Sequence, residues 1–326
     1  MHLQTLTMSA RFLSVVMACH NNELTIIDSI QCIVNQTFRN WELIVVNDGS
    51  TDATEKRIEQ IASTEPRIRV VHQSNQGLTE ALINGCRLAK GPLIARQDVG
   101  DLSLPDRFER QLRFLEQNCG VVAAGSSVRW IGPKSEYLGD WVRHQTPSET
   151  TLDLTENGTG FVHPSVMFRK DAYELAGGYR NQFRFAQDHD LWYRMAEIGM
   201  LGTCPEVLFE YRMDVSGISP QHRTRQERLG QLARECYLAR KNGLSEESLL
   251  KEANRVSWDE NHADVSGSAS GPGDAAYFVG SQLYQQRDRR CRKYLKMALT
   301  AKSNRLRSAV KFASSFLICH GGGAGA

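Results

Sequence analysis

The chain has 326 residues, enough for one large domain or for a medium domain with a smaller companion. Its net charge of +2 and its 41% hydrophobic content fit an ordinary globular protein and give no global field for nucleic acid. No apolar run approaches the roughly 20 residues of a membrane helix, the opening MHLQTLTMSARF lacks a secretory layout, and the eight cysteines show no CxxC spacing, which fits reduced thiols in a cytoplasmic protein.

Taken in order, the first 130 residues alternate. FLSVVMAC (12–19) is a continuous apolar run of strand length. ELTIIDSIQCIVNQT follows with Leu24, Ile27, Ile30 and Val34 at helical spacing. WELIVVND is a second strand, and DATEKRIEQIAST is a helix that opens on Asp52 with Glu55 three residues later. IRVVH is a short third strand before the helix LTEALINGCRLAK. GPLIARQD is the fourth strand, LPDRFERQLRFLEQN the next helix, and VVAAGSSVRWIG a fifth strand. Such βαβ alternation predicts an α/β fold, Rossmann-like, with a mainly parallel sheet covered by helices on both faces. In these sheets ligands bind beyond the carboxyl ends of the strands. Asp48 and Asp98 each end a strand, so both are expected to border one crevice.

After residue 132 the alternation stops. Residues 160–180 and 183–213 read as a strand, two helices and a further strand, while loops dominate from Gly132 to Phe185. Beyond about Gln221 the pattern is helical. WDENHADVSGSASGPGD, spanning 258–274, has linker composition. The remaining tail predicts two or three short amphipathic helices. Ala276, Gly280, Leu283, Leu295, Ala298 and Leu299 are spaced like one tetratricopeptide-like helix pair.

The first strand is followed by Cys19-His20-Asn21-Asn22, without the GxGxxG of a dinucleotide site, and no GxxxxGK[ST] occurs. Phosphates bound here would need another source of positive charge. A divalent cation held by carboxylates is one such source and accounts for acidic residues at a strand end.

Six stretches carry a family resemblance: SVVMACHNNE, WELIVVNDGSTDAT, NQGLTEALINGC, GPLIARQDVGD, HPSVMFRKDAYELAGGYR and QDHDLWYRM, in this order. Together, over roughly residues 12 to 215, the chain resembles the inverting glycosyltransferases of family 2, which have the GT-A fold. The resemblance implies a GT-A domain over 1–222 and leaves 223–326 as a C-terminal helical region. It implies a nucleotide-diphosphate sugar donor, most simply uridine-linked, and an acceptor hydroxyl on a carbohydrate or a lipid-linked carbohydrate. Ala18, His20 and Asn21 match the loop against base and ribose. Asp48 matches the aspartate that accepts the uracil N3–H. Asn75, Gly77 and Asn84 match the segment over the nucleotide. Asp98 matches the first aspartate of the DxD motif, and Asp188 the catalytic base.

One departure stands out. Where family members commonly read D-x-D-D, this chain reads Asp98-Val99-Gly100-Asp101. The usual metal ligand is thus a glycine. The expected Mn²⁺ or Mg²⁺ then falls to Asp98 and Asp101, or binding leans on Arg96. His163 is expected on the acceptor side, and Tyr211 and Arg212 near the diphosphate, with structural roles as the competing reading of each. Ten Lys and Arg lie between Arg287 and Lys311. They form either a solvated helix face or a peripheral contact with the inner face of a membrane. A nucleotide-sugar-binding or interaction protein that has lost catalysis is the alternative to the enzyme, and a glycoside hydrolase with paired carboxylates is a further one.

Overall fold

The computed structural model describes residues 12–213, 222–258, 272–299 and 304–317. They divide into two compact units. Of these residues, the first unit contains 12–128, 141–211 and 228–258, and the second contains 129–140, 212–213, 222–227, 272–299 and 304–317.

Strands β1 (Leu13–Cys19), β2 (Trp41–Asp48), β3 (Ile68–Gln73) and β4 (Leu93–Asp98) pair in parallel in the order β3-β2-β1-β4. Helices α1 (Ile26–Val34), α2 (Thr54–Ala62) and α3 (Leu78–Leu88) connect them. The unbroken apolar character of β1 and β2 has a simple cause. Val16, Ala18, Ile44 and Val46 point into one core layer; Leu13, Val15, Met17, Leu43 and Val45 point into the other. A strand with period 2 that is covered on both faces needs apolar residues at every position.

The next elements are β5 (Leu102–Ser103), α4 (Arg107–Gln117), β6 (Val121–Ile131), β7 (Tyr137–Trp141) and α5 (Pro147–Asn157). Then come β8 (Met167–Arg169), α6 (Lys170–Leu175), α7 (Gln187–Ala196) and β9 (Met200–Arg212). The strand, two helices and strand expected after residue 160 are β8, α6, α7 and β9. β8 inserts between β4 and β6, antiparallel to both, so β6 keeps the direction of β4. The sheet continues through β9 to β5, which are antiparallel, and β7 pairs with β6.

Helix α5 lies where loops were expected. Thr146 and Glu149 form a reciprocal capping box, Pro147 begins the helix, and Gly158 closes it in the left-handed conformation. Residues 228–241 of α8 (Arg223–Lys241) and all of α9 (Glu247–Trp258) belong to the first unit. Leu229, Leu232, Cys236, Ala253 and Val256 join the core layer of Trp192 and Tyr193.

In the second unit, α10 (Pro272–Gln285), α11 (Cys291–Ala298) and α12 (Arg305–Ser314) surround a small core of Leu138, Val279, Leu283, Cys291, Tyr294 and Leu295. Gly280 lets α10 approach Leu295 so closely that a Cβ there would sit 2.9 Å from the Leu295 backbone nitrogen. Buried Tyr294 donates to Glu136 at 2.7 Å. Most of the linker expected at 258–274 lies outside the described residues.

Candidate active site

β1 separates β2 from β4, so Asp48 and Asp98 end strands two spacings apart, about 10 Å. Ala18 lies between them, its register partners being Val46 and Asp98. Each aspartate organises a different part of the rim.

Around Asp48 the chain folds onto a buried carboxylate. Oδ1 accepts from Gln73 Nε2 and from the Gln76 N–H, both at 2.8 Å, and Oδ2 accepts from the Gly77 N–H at 2.8 Å. Gly77 adopts φ 89°, a conformation that suits glycine, and leads into α3. The Asp48 carbonyl accepts from His20 Nδ1 at 2.8 Å, which leaves His20 Nε2 to accept from Asn75 Nδ2 at 3.2 Å. Asn21 crosses to the next loop: its N–H donates to Ser50 Oγ at 3.0 Å and its Oδ1 accepts from the Thr51 N–H at 2.8 Å. His20, Asn21, Asp48, Asn75 and Gly77 therefore form one constellation. Asn84 stands behind it. Its amide donates to Gln73 Oε1 at 2.9 Å, so it reaches Asp48 only through Gln73.

Around Asp98 the setting is ionic. Arg96, 1% exposed, places Nη2 2.5 Å from Asp98 Oδ1 and donates through Nη1 to the Gln97 carbonyl. His163 is buried beside this pair. Its Nε2 lies 2.8 Å from the Tyr179 hydroxyl and its Nδ1 4.0 Å from Asp188 Oδ2. Burial, together with the Arg96 charge, pushes His163 down to about 4, against the pull of Asp188 and Asp98. It is neutral at pH 7. Burial pushes the Tyr179 phenol well above its usual range, so it stays protonated and shares a hydrogen bond with His163 Nε2.

Asp188 is the second residue of α7, with its side chain 23% exposed. Burial works against its charge. The nearby His189 and His163, with the backbone N–H groups of His189 and Asp188 itself, outweigh that cost and hold the carboxyl below the usual aspartate value. A carboxylate at a helix N-terminus is also favoured by the helix dipole. The result is a partly exposed anion held in place by first-turn amides.

Arg184, four residues before Asp188 in sequence, packs on the Asp48 side of the rim and escaped the sequence reading. Its guanidinium packs on Gly77; a Cβ there would meet Nη2 at 3.0 Å. The Arg184 carbonyl accepts from Thr79 Oγ at 3.2 Å, and the guanidinium stacks 4.8 Å over Trp258. It has no carboxylate partner among the described residues.

The donors for a divalent ion are few. Gly100 has φ 101°, and a Cβ built there meets nothing within 4 Å, so the position where the family pattern has a carboxylate opens on empty space. Asp101 is 5% exposed and lies in Coulombic range of buried Arg107. Its carbonyl accepts from Ser29 Oγ and Gln97 Nε2. Asp98 already answers Arg96. Among the described residues no group of three or more His, Cys, Asp or Glu is placed to hold a metal. The residues present do not make a metal site of their own. Arg212, expected near the diphosphate, lies in the second unit and donates to the Gly132 and Pro133 carbonyls and to Ser135 Oγ. Tyr211, the residue before it on β9, is half-buried.

A family model described as Glycosyl transferase family 2 matches residues 14–176. EpsE of Bacillus subtilis (strain 168), which bears a glycosyltransferase name, is 35% identical over 62% of this chain and 73% of its own. The O-antigen biosynthesis glycosyltransferase WbnJ of Escherichia coli is 30% identical over 62% of this chain and 78% of its own. The amylovoran biosynthesis glycosyltransferase AmsE of Erwinia amylovora is 28% identical, covering 61% and 75%. Among solved structures, S. aureus TarS 1-349 in complex with UDP superposes with a TM-score of 0.59 at 14% identity, over 94% of this chain and 89% of that one. The mannosyltransferase PcManGT of Pyrobaculum calidifontis in complex with GDP-Man and Mn²⁺ gives 0.55 at 19% identity, over 92% and 86%. At such identities the superpositions establish the GT-A fold. The matched model and the similarity to EpsE and WbnJ establish the rest: this chain belongs to glycosyl transferase family 2 and is a glycosyltransferase.

Proposed function

We propose that the chain transfers a sugar from a uridine-diphosphate sugar to a hydroxyl of a growing envelope polysaccharide or its lipid-linked precursor, with inversion at the anomeric carbon. TarS carries UDP, and in a second structure UDP-GlcNAc, on this fold. WbnJ and AmsE are named for polysaccharide biosynthesis. The observation that carries the reading is Asp188: a carboxylate held ionised by α7 amides, beside neutral His163, on the rim that also holds Asp98 and the Asp48 constellation.

In this scheme the constellation of His20, Asn75 and Gly77 receives the base and ribose, shaped from below by Asp48. The acceptor hydroxyl gives its proton to Asp188 as its oxygen bonds to the anomeric carbon. The bond from that carbon to the diphosphate oxygen breaks, and its electron pair leaves with the nucleoside diphosphate. Uncharged His163 lies beside Asp188, its Nδ1 4.0 Å from Oδ2. Arg184 supplies positive charge near the departing diphosphate. A divalent ion, where one takes part, would add charge stabilisation for the leaving group; no step here is assigned to it, because Gly100 supplies no donor.

Asp188→Asn tests the scheme. General-base help is worth about 10²–10⁴-fold, so turnover should fall by that order while the thermal shift caused by UDP is unchanged. Wild-type turnover in the variant would refute the assignment. Full activity in excess chelator would remove a divalent ion from the scheme; loss of activity there, restored by added Mn²⁺, would put one in it. Gly100 favours a second reading, a donor-binding protein without turnover. A donor-induced thermal shift with no product on a broad acceptor panel would select it.

A further inference from the structure

The outward face of α12 is inverted. A helix on a water-soluble surface turns polar residues outward and apolar ones inward. Here Leu306 is 80% exposed and Val310 59% exposed, with Ala309 and Ala313 also exposed, at the i, i+3, i+4 and i+7 spacing of one stripe. Ser308, on the opposite side, is fully buried. Arg305 and Arg307 are exposed at the margins of the stripe, and Lys311 lies beside it over Tyr277, with Nζ 5.0 Å from the ring centroid. Phe316, one turn on, is 60% exposed under Arg292, whose guanidinium lies 4.4 Å from its ring. From Arg289 to the end, the chain carries nine Lys and Arg and no Asp or Glu, although the whole molecule is only +2.

We propose that this face of the second unit docks on the surface of an anionic lipid bilayer. The apolar stripe inserts among the acyl chains near the headgroups, and the flanking cations meet lipid phosphates. The apolar stripe and the basic run are separate features of this face. An apolar stripe alone would suit a second protein, and a basic run alone would be a solvated face. Asp274 of α10 is tied to Asn304 at the N-terminal end of α12; the apolar centre with its cationic margins matches a surface that is apolar in depth and negative at its boundary. The proposal stands apart from the assignment of Asp188, and neither depends on the other.

The test is co-sedimentation of the full chain with vesicles of phosphatidylcholine, alone or mixed with phosphatidylglycerol. Wild type should bind the mixed vesicles, not the neutral ones, and high salt should release it. Leu306→Ser with Val310→Ser should reduce binding by at least about tenfold at unchanged charge. Arg305→Gln with Arg307→Gln should weaken it about fivefold for each charge removed. Both pairs are exposed, so melting temperatures matching wild type check that the variants are folded. Failure to bind anionic vesicles would overturn the proposal. So would binding that survives the Leu306 and Val310 changes. Light scattering that shows a wild-type dimer, made monomeric by those changes, would assign the face to a second copy and overturn it equally.

Discussion

His163 shows how a single residue reports on its surroundings. Its ordinary value is 6.5 and burial lowers it to about 4. The unfolded chain therefore binds a proton between those values that the native chain does not. Native stability falls as pH drops from 6.5 toward 4 and loses nothing further from this residue below that. The span corresponds to roughly 3 kcal/mol. His163→Gln should flatten the urea-midpoint profile across that window; an unchanged slope would mean another group causes it. Arg184 belongs at the same scale. Charged hydrogen bonds are worth about 1.5–3 kcal/mol, so Arg184→Gln should weaken UDP binding about tenfold or more and leave uridine binding unchanged. Equal losses for both ligands would place its guanidinium on the base instead. The sequence offered His163 an acceptor-side or a structural role and did not single out Arg184. His163 and Arg184 acquire their partners from segments far away in the chain, Tyr179 and Asp188 for one, Gly77 and Trp258 for the other.

At the scale of elements, α4 is anchored by a charge. Arg107 is fully buried, and burial lowers it to about 9, still protonated at neutral pH. It donates to Gln111 and Ser103 and to the carbonyls of Arg96 and Val166, so one guanidinium ties α4 to the ends of β4 and β5 and to the entry of β8. Arg107→Met removes the donor and strands those acceptors beside Asp101. Hydrogen bonds to a charged group are worth about 1.5–3 kcal/mol each, so the loss should be at least of that size by urea unfolding; a loss under about 1 kcal/mol, roughly the worth of one ordinary hydrogen bond, would show that water replaces the guanidinium. Helix α5 was legible in principle, since Thr146-Pro147-Ser148-Glu149 is a capping box with proline at the first turn. It was missed because its apolar residues are sparse: only Thr150 and Leu154 are buried. Thr146→Ala should cost about 1 kcal/mol, read from the same unfolding curves.

At the scale of the molecule, the second unit draws on three separate stretches of chain. Leu138 and its neighbour Trp130 come from the middle of the sequence, and their cover, Val279, Leu283 and Leu295, comes from near its end. Ending the chain after Trp258 would uncover Leu138 and Trp130. The truncated protein should bind a hydrophobic dye strongly and lose solubility, and dye binding equal to that of the full chain would contradict this packing. A helical pattern shows that α8 and α9 form, but not which core they cover.

The sequence by itself determined the βα order, the two-faced burial of β1 and β2, the carboxylates at strand ends and the family. These follow from local periodicity and from short motifs, which need no knowledge of distant neighbours. Tertiary structure alone decided that Asp48 holds the 76–77 backbone, that Asp98 is paired with Arg96, that His163 is neutral, and that Leu306 and Val310 face outward. Burial, ionisation and pairing depend on which remote segments arrive beside a residue, and that information enters only when the chain closes on itself.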